Sequence, residues 1–386
     1  MTSDPHTEHI DTIVVGGGQA GLAVGHHLAR QGRPHVILEA ADRIGSSWRN
    51  RWDGLRLFTP ARFDGLPGMA FPGPRHALPT KDEVAAYLEA YATRFQLPVR
   101  TGVLVDAVAQ DPSGEGWLVR AGDTRWRASQ VVLATGAFRA PKVPVFAADL
   151  RPEIQQLHAS EYRNPAQLRD GLVLIVGASN SGAEIAMSTV REHPTILSGR
   201  DTGKMPIRPD DWAARLFDPP FWFFVNHLVK AETAIGRRAR ASIVDHGGPL
   251  ERIWPSDLAA AGVERVVGRT AGVNDGWPVL DDGRVVEAAT VIWCTGFRPD
   301  FDLVTPRIAG PDGWPIHERG VVTGVDGLFL VGMPFQYSGA SSLLGGVGRD
   351  ARFVADRIAE RPRQRQPAGQ PLARAYVDGA GGSATT

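Results

Sequence analysis

The chain has 386 residues, 42 basic and 42 acidic side chains, and a single cysteine, Cys294. That length allows two domains with sizeable cores, and one cysteine excludes an intrachain disulfide framework. The even charge gives no net field toward nucleic acid or anionic lipid, and Met1 to Ile10 lacks a basic-then-apolar leader, so the expectation is a cytoplasmic globular protein.

Ile13-Val14-Val15 reads as a buried strand, followed by a glycine-rich turn and a helix from about Leu22 to Arg30. Gly32 and Pro34 stop that helix, and Val36-Ile37-Leu38 forms the next strand, ending at Glu39. Residues 44–79 are irregular and rich in Gly, Pro and aromatics, a long loop of the kind that is usually functional. Lys81 to Phe95 places Val84, Tyr87, Leu88 and Tyr91 on one helical face. Strands are expected at 103–105, at a hairpin over 117–119 and 124–127, and at 131–133 running into Ala134-Thr135-Gly136. A second strand–turn–helix–strand unit begins at Leu172, with its helix over 182–190 and its strand over 195–197. Val291-Ile292-Trp293 runs into Cys294-Thr295-Gly296, an echo of the earlier Ala-Thr-Gly. A strand over 328–331 and a helix over 349–360 complete the chain.

The first turn, Gly16-Gly17-Gly18-Gln19-Ala20-Gly21, carries the full dinucleotide fingerprint. Gly16 permits the tight turn, Gly18 lets the backbone approach a pyrophosphate, and Gly21 permits close helix–strand packing. The helix N-terminus then offers N–H groups to phosphate, and Glu39 is placed to accept from ribose hydroxyls. The second turn, Gly177-Ala178-Ser179-Asn180-Ser181-Gly182, has Ser179 in place of the middle glycine. Arg200 stands where the first unit has Glu39. A guanidinium there can pair with a 2′-phosphate that a carboxylate would repel, which selects NADP over NAD. Ala134, Thr135 and Gly136, with Thr295 and Gly296, end buried strands at the edge where such sheets bind ligands, and serve as chain crossings between domains. Two such turns in one chain suit hydride transfer from a nicotinamide to a flavin. The cofactors expected are FAD and NADP.

The fold class is therefore α/β, with two Rossmann-like domains and the NADP domain inserted into a discontinuous FAD domain. The expected layout is a disordered 1–9, an FAD part over 10–169, an NADP domain over 170–285, a second FAD part over 286–361, and a disordered 362–386. Cys294 reads as a small buried hydrophobe, and a disulfide reductase that needs two cysteines is excluded. His158 and Tyr162 either orient cofactor or join domains. The run 219–229, with Phe221, Trp222, Phe223 and Phe224, is too short to span a bilayer. It reads as a core or cleft-lining helix, with a substrate lid or membrane-surface contact as the alternative. Trp52, Phe58, Phe63, Trp212, Phe221, Trp222 and Phe335 are candidate cleft walls. No metal-ligand spacing and no nucleophile–base arrangement stands out, so no catalytic side chain is assigned.

These motifs resemble the flavin-containing monooxygenases, and above all a soluble bacterial branch similar to the plant YUCCA-type enzymes. The resemblance covers about 10–360. Gly45-Ser46-Ser47-Trp48 is similar to the family's element beside the flavin, which places Ser47 and Trp48 there. Residues 57–60 and 71–72 are similar to its loop over the ring, and Thr295-Gly296-Phe297-Arg298-Pro299 to its second crossing. Two features depart from the family's identifying motif. His158 and Tyr162 match it, but Pro152 and Ile154 stand where Phe and Gly belong. Pro60, where the animal branch has Asn, points to the YUCCA-type branch. The resemblance implies that NADPH reduces FAD, that a flavin hydroperoxide forms, and that one oxygen atom passes to a small organic substrate. Nitrogen, sulfur and carbonyl acceptors all stay open. The alternatives are a reductase feeding electrons to a partner, and a non-catalytic nucleotide sensor. No nucleic-acid partner or transmembrane segment is expected, and a homodimer is compatible with the chain.

Overall fold

The structure, a computed structural model, describes residues 7–114 and 116–362. β1 (Thr7–Val15), α1 (Gln19–Arg30) and β2 (His35–Leu38) form the first unit, with Val15 opposite Leu38 in a parallel pair. α2 (Ser46–Arg49), α3 (Lys81–Arg94), β3 (Val99–Arg100), β4 (Ala107–Gln110), β5 (Trp117–Ala121) and β6 (Thr124–Leu133) follow. The chain crosses through β7 (Ala140–Pro141) into β8 (Gln155–His158), β9 (Val173–Val176), α4 (Asn180–Thr189) and β10 (Thr195–Gly199). Then come α5 (Ala214–His227), α6 (Ala234–His246), α7 (Pro255–Ala260), β11 (Glu264–Val267), β12 (Thr270–Asn274), β13 (Trp277–Leu280) and β14 (Thr290–Trp293). It returns through β15 (Phe297–Arg298) to β16 (Val304–Thr305), β17 (His317–Glu318), β18 (Val321–Val322), β19 (Leu328–Leu330) and α8 (Val347–Ala359).

The fold is α/β with two Rossmann-like units. The first sheet runs β16-β4-β5-β6-β1-β2-β3, with β19 also pairing β6. Its faces are covered differently. On one side α1, α3 and α8 bury Leu22, Val24, Leu88, Tyr91, Val354 and Ile358. On the other, Trp117, Trp126, Phe301 and Leu330 close a second core. α3 begins at a reciprocal cap: the Thr80 hydroxyl accepts from the Glu83 N–H at 3.2 Å, and Glu83 accepts from the Thr80 N–H at 2.7 Å. Such a cap satisfies two otherwise orphaned donors, and it is written in the sequence as Thr-x-x-Glu.

Several expectations are corrected. Thr7–His9 belong to β1 and pair with Arg125–Arg127 of β6, because Glu8 is held by Arg100 at 2.6 Å and by the Trp126 indole at 3.1 Å. The rest of the two expected disordered ends, 1–6 and 363–386, lies outside the described residues. Residues 103–105 are not a strand. The chain there wraps the end of β2, with Val103 N–H donating to the Glu39 carbonyl at 2.8 Å. The expected hairpin arm and the strand at 131–133 are one strand, β6. The second sheet has the order β11-β10-β9-β14-β8, so it takes strands from 155–158 and 290–293 that the sequence reading gave to the first domain. The polar β8, Gln-Gln-Leu-His, has no apolar periodicity to announce it.

Candidate active site

The two glycine turns are near copies in hydrogen bonding. Gly16 N–H donates to the Leu38 carbonyl, and Ala134 N–H to the Val15 carbonyl, both at 2.8 Å. Gly177 N–H donates to Ser198, and Cys294 N–H to Val176, both at 2.7 Å. Gly16 and Gly177 share a φ of +108°, and a Cβ on either would drive into the carbonyl of Ala134 or Cys294. Gly21 and Gly182 seat their helices on the carbonyls of Gly16 and Gly177, where any side chain would collide. The strand-end residues Ala134 and Cys294 therefore form the floors of the two turns. Burial pushes the Cys294 thiol up to about 12, which keeps it neutral and unreactive.

Around the first turn the structure gathers most of the residues singled out from the sequence. A Cβ on Gly18 would meet nothing within 4 Å, so that position opens onto free space. α1 starts there with no side-chain cap and no acidic residue in its first turn. Its N–H groups are thus available to an anion. Glu39 accepts from Gly17 N–H at 2.6 Å and from Ala41 N–H at 3.0 Å. Gln19 accepts from the Trp48 indole at 3.2 Å and reaches the Ser342 carbonyl at 3.4 Å, which ties α2 to the start of α1. Ala20 is buried beside Gly332, and Ser47 is exposed next to Trp48. Among the described residues the buried Thr135 hydroxyl has no partner, and Gly136 (φ +76°) begins the crossing. An open backbone cradle, an uncapped helix and an orphaned hydroxyl fit a dinucleotide.

The second turn carries a clasp that sequence reasoning missed. Ser179 donates to the Gly248 carbonyl and Asn180 to the Pro249 carbonyl, each at 2.9 Å, while Asn180 accepts from Glu251 N–H at 3.0 Å. The serine that replaces the middle glycine thus holds a neighbouring loop, and Gly247-Gly248-Pro249 was the signal for that loop. Ser181 is half-buried on α4. Arg200 is exposed at the end of β10. Arg265, also missed, braces that end by donating to the carbonyls of Gly199 at 2.7 Å and Arg200 at 3.2 Å. Beyond it, Lys204 and Arg208 flank the Trp254 ring at 4.0 and 4.5 Å.

Beneath the clasp lie two carboxyls. Burial pushes Glu184 up to about 7, despite Arg252 at 3.0 Å and the Trp52 indole at 3.2 Å. Burial and then the Glu184 charge push Glu251 up to about 8. An acid whose folded pKa is raised binds protons that the unfolded chain has released, so stability falls as pH climbs from about 4.5 through 8. Glu251→Gln is expected to flatten that fall and to raise the melting temperature at pH 8 by a few degrees, a gain of about 1–3 kcal/mol. Thermal melts of both proteins across pH 5–9 check this; parallel curves would contradict it.

The two crossings meet. β7 and β15 pair antiparallel, Phe297 opposite Pro141, and Thr295 donates to the Lys142 carbonyl. His158 Nε2 lies 3.0 Å from the Gly296 carbonyl, and its ring packs edge-on against Phe297 at 4.9 Å. Tyr162 is fully buried against Ser188 at 3.0 Å. Of the two roles left open for His158, joining the domains is the one its contacts match. α5 lies across the first domain. Trp222 meets Phe63 at 5.4 Å, Arg62 pairs with Asp218 at 3.3 Å, and Arg349 of α8 donates to the Asn226 carbonyl at 2.8 Å. Trp212 is 76% exposed and walls no cleft.

The pyridine nucleotide-disulphide oxidoreductase family profile matches residues 13–216. A CzcO-like oxidoreductase of Geobacillus kaustophilus is 37% identical over 90% of this chain and 98% of its own. The flavin-containing monooxygenase of Stenotrophomonas maltophilia superposes with a TM-score of 0.73 at 28% identity, over 92% of this chain and 99% of that one. The chain belongs to this oxidoreductase family and, within it, to the flavin-containing monooxygenases. The indole-3-pyruvate monooxygenase YUCCA1 of Oryza sativa subsp. japonica is 29% identical over 95% of this chain and 96% of its own. Flavin-containing monooxygenases use FAD and NADPH, the cofactors expected from the two turns, and the protein is an oxidoreductase.

Proposed function

We propose that this flavin-containing monooxygenase passes one oxygen atom from molecular oxygen to a small organic substrate at the expense of NADPH. The observation that carries the reading is the pair of equivalent turns, each floored by a strand-end carbonyl, with open space at Gly18. Bound FAD would take hydride from NADPH and then activate molecular oxygen, redox chemistry that no side chain supplies.

Each turn then has its own task. At the first, Gly16, Gly18, Gln19, Ala20 and Gly21 present backbone to the FAD pyrophosphate, and the N-terminus of α1 offsets its charge. Glu39 exchanges its contact with Gly17 N–H for ribose hydroxyls. Ser47 and Trp48 flank the ring system, with Trp48 fixed by Gln19. Ala134, Thr135 and Gly136 edge the same site. At the second, Gly177, Ser179, Asn180, Ser181 and Gly182 hold the NADP pyrophosphate, and Arg200 reads its 2′-phosphate on a strand end braced by Arg265. Thr295 and Gly296 join the two sites. The Arg62–Asp218 pair and the Phe63–Trp222 contact close α5 over the first domain and limit water entry. The side chains position and exclude; none is assigned a proton-transfer role. The proposed domains are an FAD part before the β7 crossing, an inserted NADP part, and an FAD part after β15.

Acceptors of the required chemistry are soft nitrogen or sulfur nucleophiles and carbonyl carbons. The test is incubation with NADPH, isotope-labelled oxygen gas and a panel of tertiary amines, thioethers and ketones. One labelled atom per product molecule is expected. NADPH consumption matched by hydrogen peroxide, with no labelled product from any class, would favour the reductase reading.

A further inference from the structure

We infer that Arg51, with Arg163 beside it, forms an oxyanion subsite where the two nucleotide units meet, and that it takes a phosphate or carboxylate carried there by a bound ligand. The inference rests on the function proposed above, in which each turn holds a dinucleotide. The segment that carries Arg51 is pinned to both units. Arg51 N–H donates to the Trp48 carbonyl at 3.0 Å, which continues the turn of α2 beside the first glycine turn. One residue on, the Trp52 indole donates to Glu184 of α4 at 3.2 Å, and Asp53 N–H donates to the Arg163 carbonyl at 2.8 Å. The Arg51 guanidinium is thereby held over the Phe297 ring, 5.7 Å from its centroid, where β15 begins. Phe138, 57% exposed, packs edge-on against the same ring at 5.5 Å. A half-buried cation and an open aromatic wall thus stand together where the two crossings pair.

A guanidinium presents a fork of N–H donors matched to carboxylate and phosphate oxygens. Among the described residues no hydrogen-bond acceptor and no carboxylate meets the one on Arg51. Burial and then the Arg163 charge hold it below its ordinary value, and no acid works the other way. Arg163 is itself held by neutral groups, the carbonyls of Ser160 at 2.8 Å and Tyr162 at 3.0 Å. The acids nearest in sequence are engaged elsewhere. Asp53 accepts from the Asn164 amide at 2.8 Å, and Glu161 accepts from His158 N–H at 2.7 Å. Burial above all holds the His158 imidazole below its ordinary value, so it brings no anion to the pair either. Withdrawing a charge from water without a counter-charge is unfavourable, and an arriving anion removes that penalty. Two ligands of the proposed reaction can bring one: NADPH, through the phosphate on its nicotinamide side, and an acceptor that is an organic acid. α4 starts with no side-chain cap and no acid in its first turn, so the second turn has N–H groups of its own for the diphosphate. Arg51 would add to that grip, whereas no other residue of the proposed site is assigned to a carboxylate.

The FAD-loaded full chain is titrated calorimetrically with NADP⁺, with phenylacetate and with phenylacetamide, the last two alike in shape but not in charge. A coenzyme phosphate at the subsite gives Arg51→Gln a loss of NADP⁺ affinity of about tenfold or more. A carboxylate there gives a wild type that prefers phenylacetate to phenylacetamide by about tenfold or more, and Arg51→Gln erases that preference with NADP⁺ affinity unchanged. Arg51→Lys keeps the charge without the fork and should recover part of either loss. Among the described residues Arg51→Gln breaks no ion pair, so without ligand it should melt no lower than the wild type. The subsite is overturned if Arg51→Gln leaves NADP⁺ affinity unchanged and the wild type either shows no preference for phenylacetate or shares it with the variant. A variant that melts lower yet binds like the wild type assigns Arg51 to structure instead. Wild-type protein that binds no NADP⁺ at all tells against the function proposed above, and the phenylacetate arm still reads Arg51.

Discussion

Gly18→Val is expected to fold normally and to purify colourless. The reason is geometric. A Cβ at this position points into open space, and the backbone there (φ −76°, ψ −172°) is extended and acceptable to valine. The substitution therefore costs the apoprotein little, while two methyl groups fill the volume through which the FAD pyrophosphate must reach the backbone. Flavin content should fall at least about a hundredfold, since several charge-assisted hydrogen bonds to phosphate are lost together. Gly21→Val makes the contrast. Its Cβ would collide with the Gly16 carbonyl, so that variant is expected to lose the fold itself. Absorbance at the flavin band with circular dichroism on the same samples separates the two. A well-folded Gly18→Val that retains full flavin would refute the placement of the pyrophosphate.

Arg200→Ala is expected to lose most of its discrimination between NADPH and NADH. The guanidinium stands exposed on a strand end whose two carbonyls are pinned by Arg265, and among the described residues no ion pair holds it. A charge-assisted contact to a 2′-phosphate is worth about 1.5–3 kcal/mol, which is about ten- to a hundredfold in kcat/KM for NADPH relative to NADH. The NADH value should change little. Titration with 2′,5′-ADP gives a second readout that needs no turnover. An unchanged ratio would move the phosphate to Lys204 or Arg208, the cations on the Trp254 ring.

The turns were legible because backbone geometry leaves few choices there. Gly16 and Gly177 need a positive φ, and Gly21 and Gly182 have no room for a side chain, so the glycines themselves carry the message. Glu39 and Trp48 lie close to them in sequence, and their contacts with Gly17 and Gln19 put both beside the first turn. What escaped was built from long-range contacts that no local period encodes. The loop at 248–251 clasps Ser179 and Asn180 from about 70 positions away, Trp52 reaches Glu184 across domains, and His158 meets Gly296 only because the two crossings pair. β8 escaped because its pairing to β14 is made by backbone groups under polar side chains. The sequence allows α5 as a core or cleft helix, with a lid or membrane-surface contact as the alternative. Its apolar residues occupy both faces, so their spacing gave no direction in which to bury it.

The proposed function requires the two turns to bring FAD and NADPH close enough for hydride transfer. The direct measurement is anaerobic stopped-flow mixing of the FAD-loaded protein with NADPH, followed at the flavin absorbance. Rapid bleaching by NADPH, slower bleaching by NADH, and recovery of colour only when oxygen is admitted are expected. Flavin that stays oxidised at saturating NADPH would rule out that approach of the two cofactors.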